Sequence, residues 1–203
     1  MKTWSLPSSH SGLLTLSYTV ALACSALLPL SRAASGPALV DDFSQAEHTS
    51  GGATRMLITD KDAGGRSNAS EKFDGGVLKM TGQLIPGRGR PAFISLVSLL
   101  SPQGLPQDVS AYEGVRLRVK VEQGLLAVQV SSTDVDNYDY HTSAPLTRNP
   151  NAFQEIRIPF KTMKRAWSEQ TSLNLKNVTA VNLVTLSMAK EDFAYEVDEI
   201  GFY

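Results

Sequence analysis

Along most of the chain, apolar and polar residues alternate with the two-residue period of a strand buried on one face. Val115–Val121 is the clearest case, with apolar residues at 115, 117, 119 and 121 and basic residues between them. In Ile156–Phe160, Ile156, Ile158 and Phe160 share one phase. Pro159 has no N–H, so it marks an edge, a bulge or a strand end. Phe93–Leu100, Leu125–Ser132, Ala180–Met188 and Ala194–Tyr203 read as strands too, and Gly76–Gly82 as a weaker one. In Ala194–Tyr203, Tyr195 and Val197 share one phase while Ile200 and Phe202 share the other. This predicts a bulge near Asp198, or a segment covered on both faces. Turn signals separate the strands at Gly75-Gly76, Pro86–Pro91, Ser101–Gln107 and Arg148–Asn151. No stretch sustains a capped helical period; short helical turns are expected near Gln107–Tyr112 and Lys161–Trp167. Many short strands with loops between them predict an all-β sandwich or jelly roll.

The start of the chain breaks this pattern. Lys2 is the only charge before Gly12, Leu13–Leu30 is apolar, and Ser31-Arg32-Ala33 follows. This reads as a secretory signal peptide over 1–33, with Ser31 and Ala33 at the small-residue positions of the cut. Residues 34–203 then form a single domain, exported to a periplasmic or extracellular space, with no membrane span in the mature form. Two alternatives stay open. A retained anchor is weakened by Thr15, Ser17 and Pro29. The stretch Ala21–Cys24 resembles a bacterial lipoprotein box, which would anchor the chain by a lipid on Cys24. Cys24 is the only cysteine in the chain. A cut after Ala33 removes it, along with any disulfide, thiolate chemistry or cysteine-bound metal. The chain has 19 basic and 20 acidic residues, and the cut takes away Lys2 and Arg32. A net acidic domain argues against non-specific binding to nucleic acid or anionic lipid.

Several stretches imitate known motifs. Asp60–Glu71 places Asp60, Asp62, Gly65 and Glu71 at ligand and turn positions of a calcium loop. The flanks read as extended rather than helical, position 5 is Gly64, and Ser67 stands where an apolar residue is usual. What remains is a Gly-Gly turn between extended segments, and no metal is expected. Gly65–Ala69 approaches a nucleophile elbow, and Gly87–Ala92 a dinucleotide loop, but neither leads into a helix. No cofactor is expected, nor is catalysis. His48 and His141 are the only histidines beyond the export segment, and their spacing resembles no metal site. Asn68-Ala69-Ser70 and Asn177-Val178-Thr179 match glycosylation acceptors, which carry little meaning in a bacterial host.

Ser132–Pro145 concentrates three aspartates, two tyrosines and a histidine. Tyrosine faces stack on sugar C–H surfaces, and carboxylates accept hydroxyl protons. If the protein binds a glycan, Tyr138, Tyr140, His141 and Trp167 are the candidates. Tyr138 and Tyr140 share a face, with rings about 7 Å apart, and Asp139 and His141 face the other way. The competing reading is a strand and its loop, with the tyrosines in the core and Asp136 and Asp139 facing water.

Taken in order, these pieces resemble the NADH:ubiquinone oxidoreductase intermediate-associated protein 30 domain family. Its Asp-x-x-x-Gly-Gly-x-Ser turn is matched by Asp60, Gly64, Gly65 and Ser67. The strand containing Val77–Gly82 follows, then Asp108–Lys120, the tyrosine-rich segment, Phe153–Met163 and Phe193–Tyr203. The likeness covers roughly residues 40 to 203. Ala63 replaces the usual Met, Phe153 stands where Trp is common, and Lys120–Gly124 replaces a Gly-Asp-Gly turn. The resemblance implies a galactose-binding-like jelly-roll β-sandwich in which the Gly-Gly turn is structural. Mitochondrial members are assembly factors for respiratory complex I, and the fold is distantly like family 11 carbohydrate-binding modules. Two functions are therefore expected. The first is an exported, non-enzymatic module that binds a protein partner or acts as an assembly factor. The second is a carbohydrate-binding module. Exposed aromatics on a sheet face would favour the second.

Overall fold

The computed structural model of the 203-residue chain describes residue 1 and residues 38–203. The expected signal peptide, apart from residue 1, and Cys24 lie outside the described residues. The strands are β1 (Leu39–Asp41), β2 (Arg55–Thr59), β3 (Asn68–Asp74), β4 (Val77–Leu84), β5 (Ala92–Leu99) and β6 (Gly114–Gln123). They continue with β7 (Ala127–Ser132), β8 (His141–Thr142), β9 (Gln154–Pro159), β10 (Val178–Ser187) and β11 (Glu191–Phe202). Two sheets form, in the orders β3-β4-β11-β6-β9, with β1 also on β11, and β2-β5-β10-β7-β8. Every pairing is antiparallel. The chain is a jelly-roll β-sandwich.

The alternation seen in sequence builds the interior. From the first sheet come Leu78 and Met80 of β4, Val115 to Val121 of β6 in alternate positions, and Tyr195 and Val197 of β11. From the second come Ile94 and Leu96 of β5, Val128 and Val130 of β7, and Val181 and Leu183 of β10. Each fully buried aliphatic side chain contributes about 1.5–3 kcal/mol. The phase conflict in β11 is resolved by a bulge. Its register against β6 slips between Val197 and Glu199. The extra residue, Asp198, lets Val197 and Ile200 both point inward, and both are fully buried. Outside, the basic residues of β6 meet acids: Arg116 pairs with Glu199, Arg118 with Asp198, and Lys120 with Glu122 and Glu196.

Pro159 ends β9, an edge strand, where its missing N–H costs no ladder bond. The helical turn expected at Lys161–Trp167 is shorter and earlier, a 3-10 helix over Phe160–Thr162. Gln107–Tyr112 forms no helix. The Gln107 backbone bridges to Val178 instead, and Ser110 N–H bonds the Asp108 carboxylate at 2.9 Å. Such local side-chain bonds compete with helix formation.

The Asp60–Ser67 turn is a knot of hydrogen bonds. A 3-10 helix, Asp60–Ala63, ends at Gly64, whose φ is +84°. The buried Asp60 carboxylate accepts from Ser67 Oγ at 2.6 Å, Ser67 N–H at 3.1 Å and Phe93 N–H at 3.3 Å. Ser67 Oγ in turn accepts from Ile85 N–H at 2.9 Å. One carboxylate thus ties Ser67, at the entry to β3 in the first sheet, to β5 in the second. It is committed to protein donors, which is the opposite of a calcium loop with its oxygens turned to an ion.

Candidate functional site: an aromatic corner on the second sheet

The strand registers define the outer face of the second sheet. Met56, Val97, Asn182, Gln129 and Thr142 form one row across all five strands. Ile58, Ser95, Val184 and Ala127 form the next. The row is locked by side-chain bonds: Gln129 Nε2 donates to Thr142 Oγ1 at 3.0 Å and Asn182 Nδ2 to Ser131 Oγ at 2.9 Å. Ser131 also hydrogen-bonds the Tyr140 hydroxyl, which sets Tyr140 at the β8 border of this face. Burial, then the neighbouring Tyr138, hold the Tyr140 phenol above its ordinary pKa, so it stays neutral.

Tyr138 lies beside it, 77% exposed. The two rings are 6.3 Å apart and nearly perpendicular, at 85°. They make a corner and not the flat two-ring platform expected from strand alternation. The reason lies in the backbone. Tyr138 has a φ of 61°, so the segment is not yet a strand there. A bulky residue in this region is strained by about 1 kcal/mol, and such strain is often held at binding sites.

What holds it is Asp139. Expected to face water, Asp139 is instead buried, with 1% of its surface exposed. Its carboxylate accepts from the N–H groups of Ala166 (2.7 Å), Trp167 (3.0 Å) and Ser168 (2.6 Å). Arg165 donates to the Asp139 carbonyl at 3.1 Å and to Asn137 Oδ1 at 3.0 Å, and Asn137 donates to Ser168 Oγ at 2.9 Å. Burial opposes ionisation of Asp139. The N–H groups of Ala166, Trp167 and Ser168, with the Ser168 side chain, outweigh it and hold the carboxyl below its ordinary range. The consequence is positional. Trp167, 72% exposed, is pinned by its backbone to the segment that carries Tyr138 and Tyr140.

His141 is not part of this surface. It pairs with Val130 in the inward phase and is 2% exposed. Its Nε2 donates to the Thr171 carbonyl at 2.7 Å. Tyr138 and Tyr140 therefore meet at one corner, Trp167 is joined by its backbone to the residue between them, and His141 supports the loop from inside. The role of Asp139 was hidden in the sequence because its donors lie 27 to 29 residues away.

The family model described as complex I intermediate-associated protein 30 matches residues 42–197. The chain belongs to the complex I intermediate-associated protein 30 family. No curated protein matches it significantly. Among solved structures, it resembles a family 11 carbohydrate-binding module from Clostridium thermocellum in complex with a β-1,3-1,4-mixed-linked tetrasaccharide. The identity is 14% and the TM-score 0.59, over 83% of this chain and 96% of that one. The family 11 module of the cellulosomal cellulase Lic26A-Cel5E of the same organism gives 15% and 0.58, over 83% and 95%. An agarase, AgWH50C, gives 10% and 0.51, over 82% of this chain and 24% of the enzyme. These likenesses carry the fold. Among the described residues, no helix is long and apolar enough to cross a membrane.

Proposed function

We propose that this member of the family is an exported, non-catalytic module that binds a glycan chain at the corner formed by Tyr138, Tyr140 and Trp167. The observation that carries this reading is the exposure of Tyr138 and Trp167 while the backbone beneath both is fixed by Asp139. Aromatic residues on a backbone fixed before binding lose less entropy when a sugar stacks on them. Gln129, partly exposed on the adjoining face, keeps its amide oxygen for a sugar hydroxyl. A neighbour of the same fold was solved with a bound tetrasaccharide. Asp139 and His141 are already engaged, Asp139 by backbone donors and His141 by Thr171. Their role is to hold the corner, which suits a binding module.

The test is a glycan array followed by calorimetry with the oligosaccharides that score, mixed-linked β-glucan tetrasaccharide included. Trp167→Ala and Tyr138→Ala are each expected to weaken binding about tenfold or more. Their melting temperatures should stay near wild type, because both side chains lie outside the core. An array without any binder, or variants that bind as well as wild type, would sink this reading.

The protein-partner reading is favoured by a separate observation. At the opposite edge of the same sheet, β2 leaves Met56, Leu57 and Ile58 exposed in succession.

A further inference from the structure

Edge strands invite pairing, and most edges of this sandwich are blunted against it. β9 carries Glu155 and Arg157 and ends in Pro159. β3 carries Glu71, Lys72 and Asp74. β1 has three residues. The edge of β8 is covered, since Thr142 N–H donates to the Lys164 carbonyl at 2.9 Å and Lys164 N–H returns to Thr142 at 3.0 Å. β2 has no such device. Its sequence is Arg-Met-Leu-Ile-Thr, and its one charge is turned inward. The Arg55 guanidinium is bound by Asp41 at 2.5 and 2.6 Å and lies over the rings of Phe43 and Phe73.

The backbone shows which groups are on offer. Arg55 N–H donates to the Glu47 carbonyl at 3.3 Å, so it points away from β5. In an antiparallel ladder alternate residues face the same side, so the N–H and C=O of Leu57 and Thr59 also face outward. The hairpin through His48 and Thr54 covers only the start of this edge.

Beside it lies a cavity of about 320 Å³, where the β2 edge of one sheet meets the β3 edge of the other. Leu57, Leu96 and Phe73 line it, with Glu47, His48 and Glu71. Glu71 shares its inward row with Met80 and Tyr195, and its charge bears on the buried Tyr195 phenol. Arg55 is neutralised by Asp41, and neither Glu47 nor Glu71 enters an ion pair among the described residues. The cavity therefore combines an apolar floor with an uncompensated negative rim. That suits a lysine or arginine side chain, with an aliphatic stem and a cationic head.

The geometry points to a peptide-docking edge: an extended segment of a partner protein adds to β2 as a further strand and sets a basic side chain into the cavity between Glu47 and Glu71. Main-chain bonds to Leu57 and Thr59 would hold the strand, and the cavity would choose its sequence. This rests on the protein-partner reading and names the chemistry of that partner.

The probes are two fluorescent peptides of alternating valine and threonine, one with a central lysine and one with a central glutamate. Anisotropy with the purified full chain should show the lysine peptide binding at least about tenfold more tightly. Glu71→Lys, at an exposed position, should keep the fold and reverse the preference. Ile58→Lys should weaken both peptides by repelling the strand from its outer side. Equal binding of the two peptides that is still lost in Ile58→Lys would overturn the basic chemistry and leave a partner strand at the edge. No binding of either peptide would overturn the edge site as well. So would dimerisation of the chain that Ile58→Lys abolishes, which would assign β2 to a second copy.

Discussion

The two glycines of the family turn do different jobs, and the sequence did not show which does which. A Gly-Gly pair announces a turn, and a positive φ at Gly65 is the natural first thought. The left-handed residue is Gly64, at +84°, and a Cβ there would meet nothing within 4 Å. Gly65 needs its hydrogen for another reason: a Cβ would lie 2.1 Å from the Asp60 carboxyl carbon. Gly64→Ala is therefore expected to cost about 1 kcal/mol, the conformational penalty alone. Gly65→Ala must displace a buried carboxylate with three donors, and about 3 kcal/mol or more is expected. Urea unfolding of the two variants checks the order. If Gly64→Ala proves the more damaging, the steric account of this turn is wrong.

At the scale of elements, the sequence was enough to find β4, β5, β6, β7, β9, β10 and β11: β6 shows the alternation of a strand buried on one face, while β5, β7 and β10 are apolar runs buried on both faces. The phase change in β11 left two readings, a bulge near Asp198 or burial on both faces, and the register slip between Val197 and Glu199 decides for the bulge. β8, with two residues, has no period to read. The loop at 166–168 was unreadable for a related reason: its partner is a distant carboxylate. That link gives a pH prediction. Asp139 has a lowered pKa in the folded state, so its contribution is complete above the unfolded carboxyl value of about 4. It is lost as pH falls through the lowered folded value. Asp139→Asn should thus lower the melting temperature by a constant amount between about pH 5 and 7. The gap to wild type should narrow below about pH 4. A gap that does not change with pH would mean the carboxylate charge contributes nothing to holding the loop.

For the whole molecule, the two proposed binding edges lie on one sheet. The aromatic corner borders β8, the outermost strand on one side, and the acidic cavity borders β2, the outermost on the other. Four inter-strand steps separate them, or about 19 Å. Between them run β5, β10 and β7, whose inward apolar side chains are packed in the core and whose Gln129 and Asn182 amide N–H groups are hydrogen-bonded within the sheet. A close-packed, cross-bonded sheet has no second arrangement for one ligand to select, so no coupling is expected. The affinity for an oligosaccharide should be the same with and without saturating lysine peptide, and Trp167→Ala should leave peptide binding unchanged. Glu71→Lys should leave glycan binding unchanged, and the double variant should show both losses in full. Calorimetry of each ligand in the presence of the other measures this directly. A shift of more than about threefold in either affinity would show that the sheet transmits strain from edge to edge, and that the two sites form one device.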